Sequence, residues 1–130
     1  MSNTPRILIV DDDEHIRQMF SRVLTVEGYD VRLAATAQVA LELVAETHPD
    51  AILLDLQMPF ISGTGFLYRL RADASCRRIP VGIITGTRFD DETLEELQTL
   101  NAKVWQKPLS MSDLLMVVRS LLARGQAAVA

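Results

Sequence analysis

Asp11 and Asp12 follow directly on the apolar run Ile7–Val10, and Asp55 follows directly on Ala51–Leu54, so three carboxylates stand one or two residues past two apolar stretches. Like charges brought together repel, and each resists leaving water, so a chain that ends buried segments this way needs compensating charge. Lys107, just past KVWQ, offers an ammonium, and Thr85, just past VGII, offers a hydroxyl. Three carboxylates with a backbone carbonyl and water make a hard oxygen site that suits octahedral Mg²⁺. A lysine and a threonine beside that site supply a cation and a donor for phosphoryl oxygens. Brought to one place, these five residues read as a phosphoryl site.

The elements that must bring them together alternate along the chain. Arg6–Val10, Asp30–Leu33, Ala51–Leu54, Val81–Ile84 and Lys103–Gln106 are short and rich in β-branched or aliphatic residues, as strands are. Ile16, Met19, Phe20, Val23 and Leu24 follow the i, i+3, i+4, i+7, i+8 stripe of an amphipathic helix. The spacing predicts further helices over Thr36–Thr47, with Val39, Ala40, Leu43 and Val44 inward, and over Gly63–Ala72, through Phe66, Leu67 and Leu70. A fourth, Asp90–Leu100, opens on three acids that suit the positive end of a helix dipole and carries only the thin stripe Leu94, Leu97, Leu100. A fifth, Ser110–Ala123, is opened by Ser110 or Ser112 and buries Leu114, Leu115, Val118, Leu121 and Leu122, with residues 124–130 expected to fray.

Strict β-α alternation implies parallel strands, right-handed crossovers and helices on both faces of one sheet. Segments one, three and four are nearly continuous apolar runs, which marks central strands; segments two and five carry polar residues (Arg32; Lys103 and Gln106), which marks edges. The expected fold is therefore α/β: a flavodoxin-like, doubly wound (βα)5 three-layer sandwich on a five-stranded parallel sheet of order 2-1-3-4-5. Its ligand crevice lies beyond the carboxyl ends of the central strands, where the acids stand.

Bulk properties narrow the function classes. One domain is expected from 130 residues, and 48% hydrophobic with 23% charged residues is a soluble globular composition. A net charge of −4 with no long Lys/Arg run argues against direct nucleic-acid binding. The chain shows neither a signal-peptide pattern nor an apolar run near the roughly 20 residues that span a bilayer, and its one cysteine, Cys76, cannot form an internal disulfide. A cytoplasmic setting away from membranes is the expectation.

Four stretches carry a family resemblance. ILIVDDDEHIR has an acidic pair, ILLDLQMPFISG places Asp55, Met58, Pro59 and Gly63, IPVGIITGT sets Thr85 before a small residue, and QKPL sets Lys107 before Pro108. In this order and at strand ends they make the chain similar to a response-regulator receiver domain of two-component signalling, over about residues 5–123. The resemblance implies that Asp55 is the phosphoacceptor and that Asp12 ligates Mg²⁺ directly and Asp11 mainly through water, with Asp55 and the Gln57 backbone carbonyl completing the protein ligands. It implies that Lys107 pairs with Asp55 and then with the phosphate, that Thr85 bonds a phosphoryl oxygen, and that Lys107–Pro108 is cis. Implied partners are a sensor histidine kinase or histidine phosphotransfer protein and a downstream target or output domain. A weak homodimer would use the fourth helix, fifth strand and last helix. Such a domain is no enzyme beyond assisting its own phosphorylation and dephosphorylation.

The chain departs from the family pattern at Val104, where receivers usually have Tyr or Phe. Its neighbour Trp105 should point to the opposite face, either packed under the last helix or on a docking surface. Movement of the loop after strand four and of the fourth helix is the alternative route for a signal. Gln57 and Thr87 stand where the family tunes phosphoryl lifetime. Two other functions compete: a pseudo-receiver that only binds protein, encouraged by Val104, and a Mg²⁺-dependent aspartyl-nucleophile phosphatase, which commonly has an acid where Gln57 stands. Plainer readings suit the remaining residues: His15 and His48 solvated, Cys76 a passive thiol, and Asp13 with Glu14 the start of the first helix.

Overall fold

Parallel pairing fixes the architecture, seen in a computed structural model that describes residues 4–55, 63–86 and 88–129. The strands are β1 (Arg6–Val10), β2 (Asp30–Ala34), β3 (Ala51–Leu54), β4 (Val81–Thr85) and β5 (Ala102–Gln106). The helices are α1 (Glu14–Val26), α2 (Ala37–Thr47), α3 (Gly63–Ala72), α4 (Asp91–Thr99) and α5 (Met111–Val129), with a 3₁₀ turn at Ala74–Cys76. The strands form one sheet in the order β2-β1-β3-β4-β5, all neighbours parallel. This is the flavodoxin-like order that the apolar and polar strands imply, and every residue of β3 and β4 is buried.

Alternation along each strand splits the core in two. Ile7, Ile9, Leu53 and Ile84 pack on one face with Phe20 and Leu24 of α1 and Leu114, Val118 and Leu121 of α5. Leu8, Val10, Ile52, Leu54 and Ile83 pack on the other with Ala40 and Val44 of α2, Phe66 and Leu70 of α3, and Leu97 of α4. Val104 belongs to this second face and Trp105 to the first, as strand alternation requires. Trp105 is thus packed beneath α5. Gly82 makes room for it: a Cβ there would lie 3.0 Å from Trp105 Cζ3 and 2.9 Å from Leu121 Cδ1.

The elements differ from the sequence reading in phase and at their ends. Val39 is 40% exposed rather than inward, because Ala37, Ala40 and Val44 form the buried face of α2 and Val39 falls on its flank. Met19, 47% exposed, likewise sits beside the stripe that Phe20 and Leu24 bury. β2 continues to Ala34, β4 takes in Thr85, β5 begins at Ala102, and α5 runs past Ala123 to Val129. His15 and His48 are exposed, and Cys76 is buried.

Candidate functional site

The hydrogen-bond ladder of the sheet continues one step past the strands and places the chemistry. The Asp11 amide donates to the Ala34 carbonyl (3.1 Å), the Asp55 amide to Val10 (2.9 Å) and the Lys107 amide to Thr85 (2.8 Å). Three site residues are therefore last rungs of parallel pairings, so the sheet itself sets their spacing. Thr85 is the final residue of β4, fully buried, opposite Gln106. The Lys107–Pro108 peptide is cis, as the resemblance implies.

At this edge Asp11, Asp12 and Asp55 each place a carboxylate oxygen within 4.8 Å of the others. Asp11 (3% exposed) and Asp55 (8%) are buried, whereas Asp12 is exposed. The Lys107 ammonium stands 3.3 Å from Asp11 Oδ2 and 3.7 Å from Asp55 Oδ2. Burial pushes the Asp11 carboxyl above its usual value, with the Asp55 charge adding to the rise; the Asp13 amide (2.9 Å from Oδ1) and Lys107 oppose it. One ammonium against three carboxylates leaves charge for a divalent cation to balance, and hard oxygens are what Mg²⁺ takes. The donor set thus fits that ion. Gln57, the expected backbone ligand, and Thr87 lie outside the described residues.

The third aspartate of the run has a different task. Asp13 Oδ1 accepts from the His15 (2.9 Å) and Ile16 (3.3 Å) amides and so caps α1, the plain role that the sequence indicates. Ser110 does the same for α5, accepting from the Asp113 amide at 3.0 Å.

Two arginines near these elements escaped the sequence reading. Arg17 Nη1 donates to the Asp11 carbonyl at 2.7 Å. Arg71 donates to the carbonyls of Leu100 (2.8 Å), Cys76 (2.8 Å), Arg77 (3.1 Å) and Asn101 (3.3 Å), tying α3 to the end of α4. Side chain to carbonyl bonds leave no charge pattern in a sequence; the only hint for Arg17 is its place four residues after the capping Asp13, one helical turn from the acids.

Comparison with known proteins agrees with this geometry. The profile of the response regulator receiver domain family matches residues 7–119. The response regulator MprA of Mycolicibacterium vanbaalenii is 34% identical over 119 residues, covering 92% of this chain and 51% of its own length. The regulatory protein AtoC of Escherichia coli is 31% identical, over 94% of this chain and 26% of its own. The chain spans about half the length, or less, of these curated relatives. Among solved structures, the chemotaxis protein CheY4 of Vibrio cholerae superposes with a TM-score of 0.85 at 30% identity, covering 92% of this chain and 99% of that one. A CheY-like receiver domain protein of Methanospirillum hungatei gives 0.88 at 28% identity, with 97% and 99% coverage. With the family profile matched over most of its length and relatives above 30% identity along nearly all of it, the chain belongs to the response regulator receiver domains of two-component signalling.

Proposed function

We propose that residues 5–123 form a phosphorylation-switched cytoplasmic receiver, which takes a phosphoryl group onto Asp55 from a histidine kinase or histidine phosphotransfer protein and thereby changes what it binds. The observation that carries this reading is the Lys107 ammonium lying 3.3 Å from Asp11 and 3.7 Å from Asp55, among three carboxylates at the carboxyl ends of parallel strands. An Asp55 oxygen attacks phosphorus as the P–N bond to the donor imidazole breaks; the imidazole leaves with the electron pair, and an acyl phosphate remains. Asp12 and Asp55 would hold Mg²⁺, Asp11 would support it through water, and the Gln57 carbonyl would be the remaining protein donor. When bound, such an ion would supply positive charge against the phosphoryl oxygens. Lys107 follows the charge from Asp55 to the new phosphoryl group, and the Thr85 hydroxyl donates to one of its oxygens, so β4 senses the modification. The chain performs no chemistry on a separate substrate; its output is a target protein or output domain, with a weak homodimer as a further state.

Val104 favours one other reading, a pseudo-receiver that binds protein without taking phosphate. Intact mass after incubation with Mg²⁺ and acetyl phosphate separates them. A single phosphoryl adduct, lost in Asp55→Asn, is the expected result; no adduct on the wild type overturns the reading in favour of the binding module. Donor turnover far above stoichiometry would point instead to the aspartyl phosphatase.

A further inference from the structure

Asp12 is the exposed member of the acid trio, and among the described residues its carboxylate has no hydrogen-bond or ion-pair partner. Its backbone, by contrast, is fixed on both sides. The peptide before it is held through the Asp11 carbonyl, which accepts from Arg17 Nη1 at 2.7 Å. The peptide after it is held through the Asp13 amide, which donates to Asp11 Oδ1 at 2.9 Å. Arg17 also donates its own amide to the Asp13 carbonyl at 3.1 Å, so one residue grips a carbonyl on each side of Asp12. Arg17 is half-buried and, although it binds the Asp11 carbonyl, makes no ion pair within 4 Å among the described residues.

We propose that Arg17 is a positioning residue for the metal site: it locks the β1–α1 junction in the shape that presents Asp12 to a divalent cation. The inference rests on the reading of the acid trio as a Mg²⁺ site. Two effects of Arg17 on that site oppose each other. As a bare positive charge near the trio it repels a cation, so removing it would tighten Mg²⁺ binding. As a clamp it spares the cation the cost of ordering Asp12, so removing it weakens binding. Partners one shell out from metal ligands are typically worth about 10–100-fold in affinity, and the short carbonyl contact makes the clamp the larger effect.

The test is Mg²⁺ calorimetry on the wild type, Arg17→Lys and Arg17→Met, with amide exchange at Asp13 measured in metal-free protein. Arg17→Met should weaken Mg²⁺ binding about tenfold and speed exchange at Asp13. Arg17→Lys, which keeps a donor that reaches the Asp11 carbonyl, should stay near wild type in both, and all three should melt at similar temperatures. Equal or tighter Mg²⁺ binding by Arg17→Met, or unchanged Asp13 exchange, overturns the clamp alone. A wild type that takes up no Mg²⁺ overturns the metal reading, and the clamp's purpose with it.

Discussion

α1 and α4 both follow central strands that end at the acidic edge, yet the sheet holds them very differently. α1 is capped by Asp13, buries Phe20 and Leu24, half-buries Ile16 and Val23, and reaches back through Arg17 to the Asp11 carbonyl. α4 is nine residues long and buries Leu97 alone; Leu94 is 38% exposed, and Asp91, Glu92, Glu95 and Glu96 face water. Its firm attachment is at its far end, where Leu100 is buried and Arg71 binds the Leu100 and Asn101 carbonyls. α1 is thus held along its length, whereas among the described residues α4 is held by Leu97, by Phe89 just before it and by its C-terminal end.

Matched leucine deletions give the largest effect. Leu24→Ala should cost about 2–5 kcal/mol, since Leu24 is fully buried and its loss leaves a cavity under α1. Leu94→Ala, on the open face of α4, should cost less than about 1 kcal/mol. Denaturant midpoints at constant slope measure both, and equal losses would erase the contrast. A smaller effect sharpens the same point on the α1/α5 face. Gly82→Ala puts a Cβ 2.9 Å from Leu121 Cδ1 and 3.0 Å from Trp105 Cζ3, so one of them must shift. Such overpacking costs about 1–3 kcal/mol, and Trp105 emission should change with it; a neutral variant with unchanged emission would mean that this face is looser than its burial indicates.

Sequence reading reached some of these features and not others, for physical reasons. The strand order was legible because burial on two faces writes continuous apolar runs, as in Ala51–Leu54, while edges such as Ala102–Gln106 keep polar residues. The meeting of Asp11, Asp12, Asp55 and Lys107 was legible because strand ends in a parallel sheet converge on one edge. The phase of α2 was not: hydrophobicity alone ranks Val39 above Ala37, but the helix buries Ala37 and Ala40 with Val44 and leaves Val39 on its flank. Nor were the grips of Arg17 and Arg71 legible, since a guanidinium bound to carbonyls looks in sequence like any surface arginine. Trp105 was open between core and surface until the space above Gly82 was known.

The smallest effect is one of sign. Burial raises the Asp11 carboxyl above its ordinary value of 3.8, so the folded protein binds that proton more tightly than the unfolded chain does. Stability from this group therefore falls as pH rises from about 3.8 through the raised value. Asp90, which caps α4 by accepting from the Thr93 amide at 2.8 Å, is lowered below the same value by its Thr93 hydrogen bonds. Its contribution is present above about 3.8 and is lost as pH falls through the lowered value. Asn in either place keeps an oxygen for the local amide and removes the charge. In metal-free protein between pH 3 and 6, the denaturant midpoint of Asp11→Asn should gain on the wild type as pH rises. That of Asp90→Asn should lag further behind over the same rise. Difference curves of the same slope would mean that the acidic edge and the start of α4 do not differ in the way their burial indicates: one charge forced inward against a desolvation cost, the other left in water on a lightly held helix.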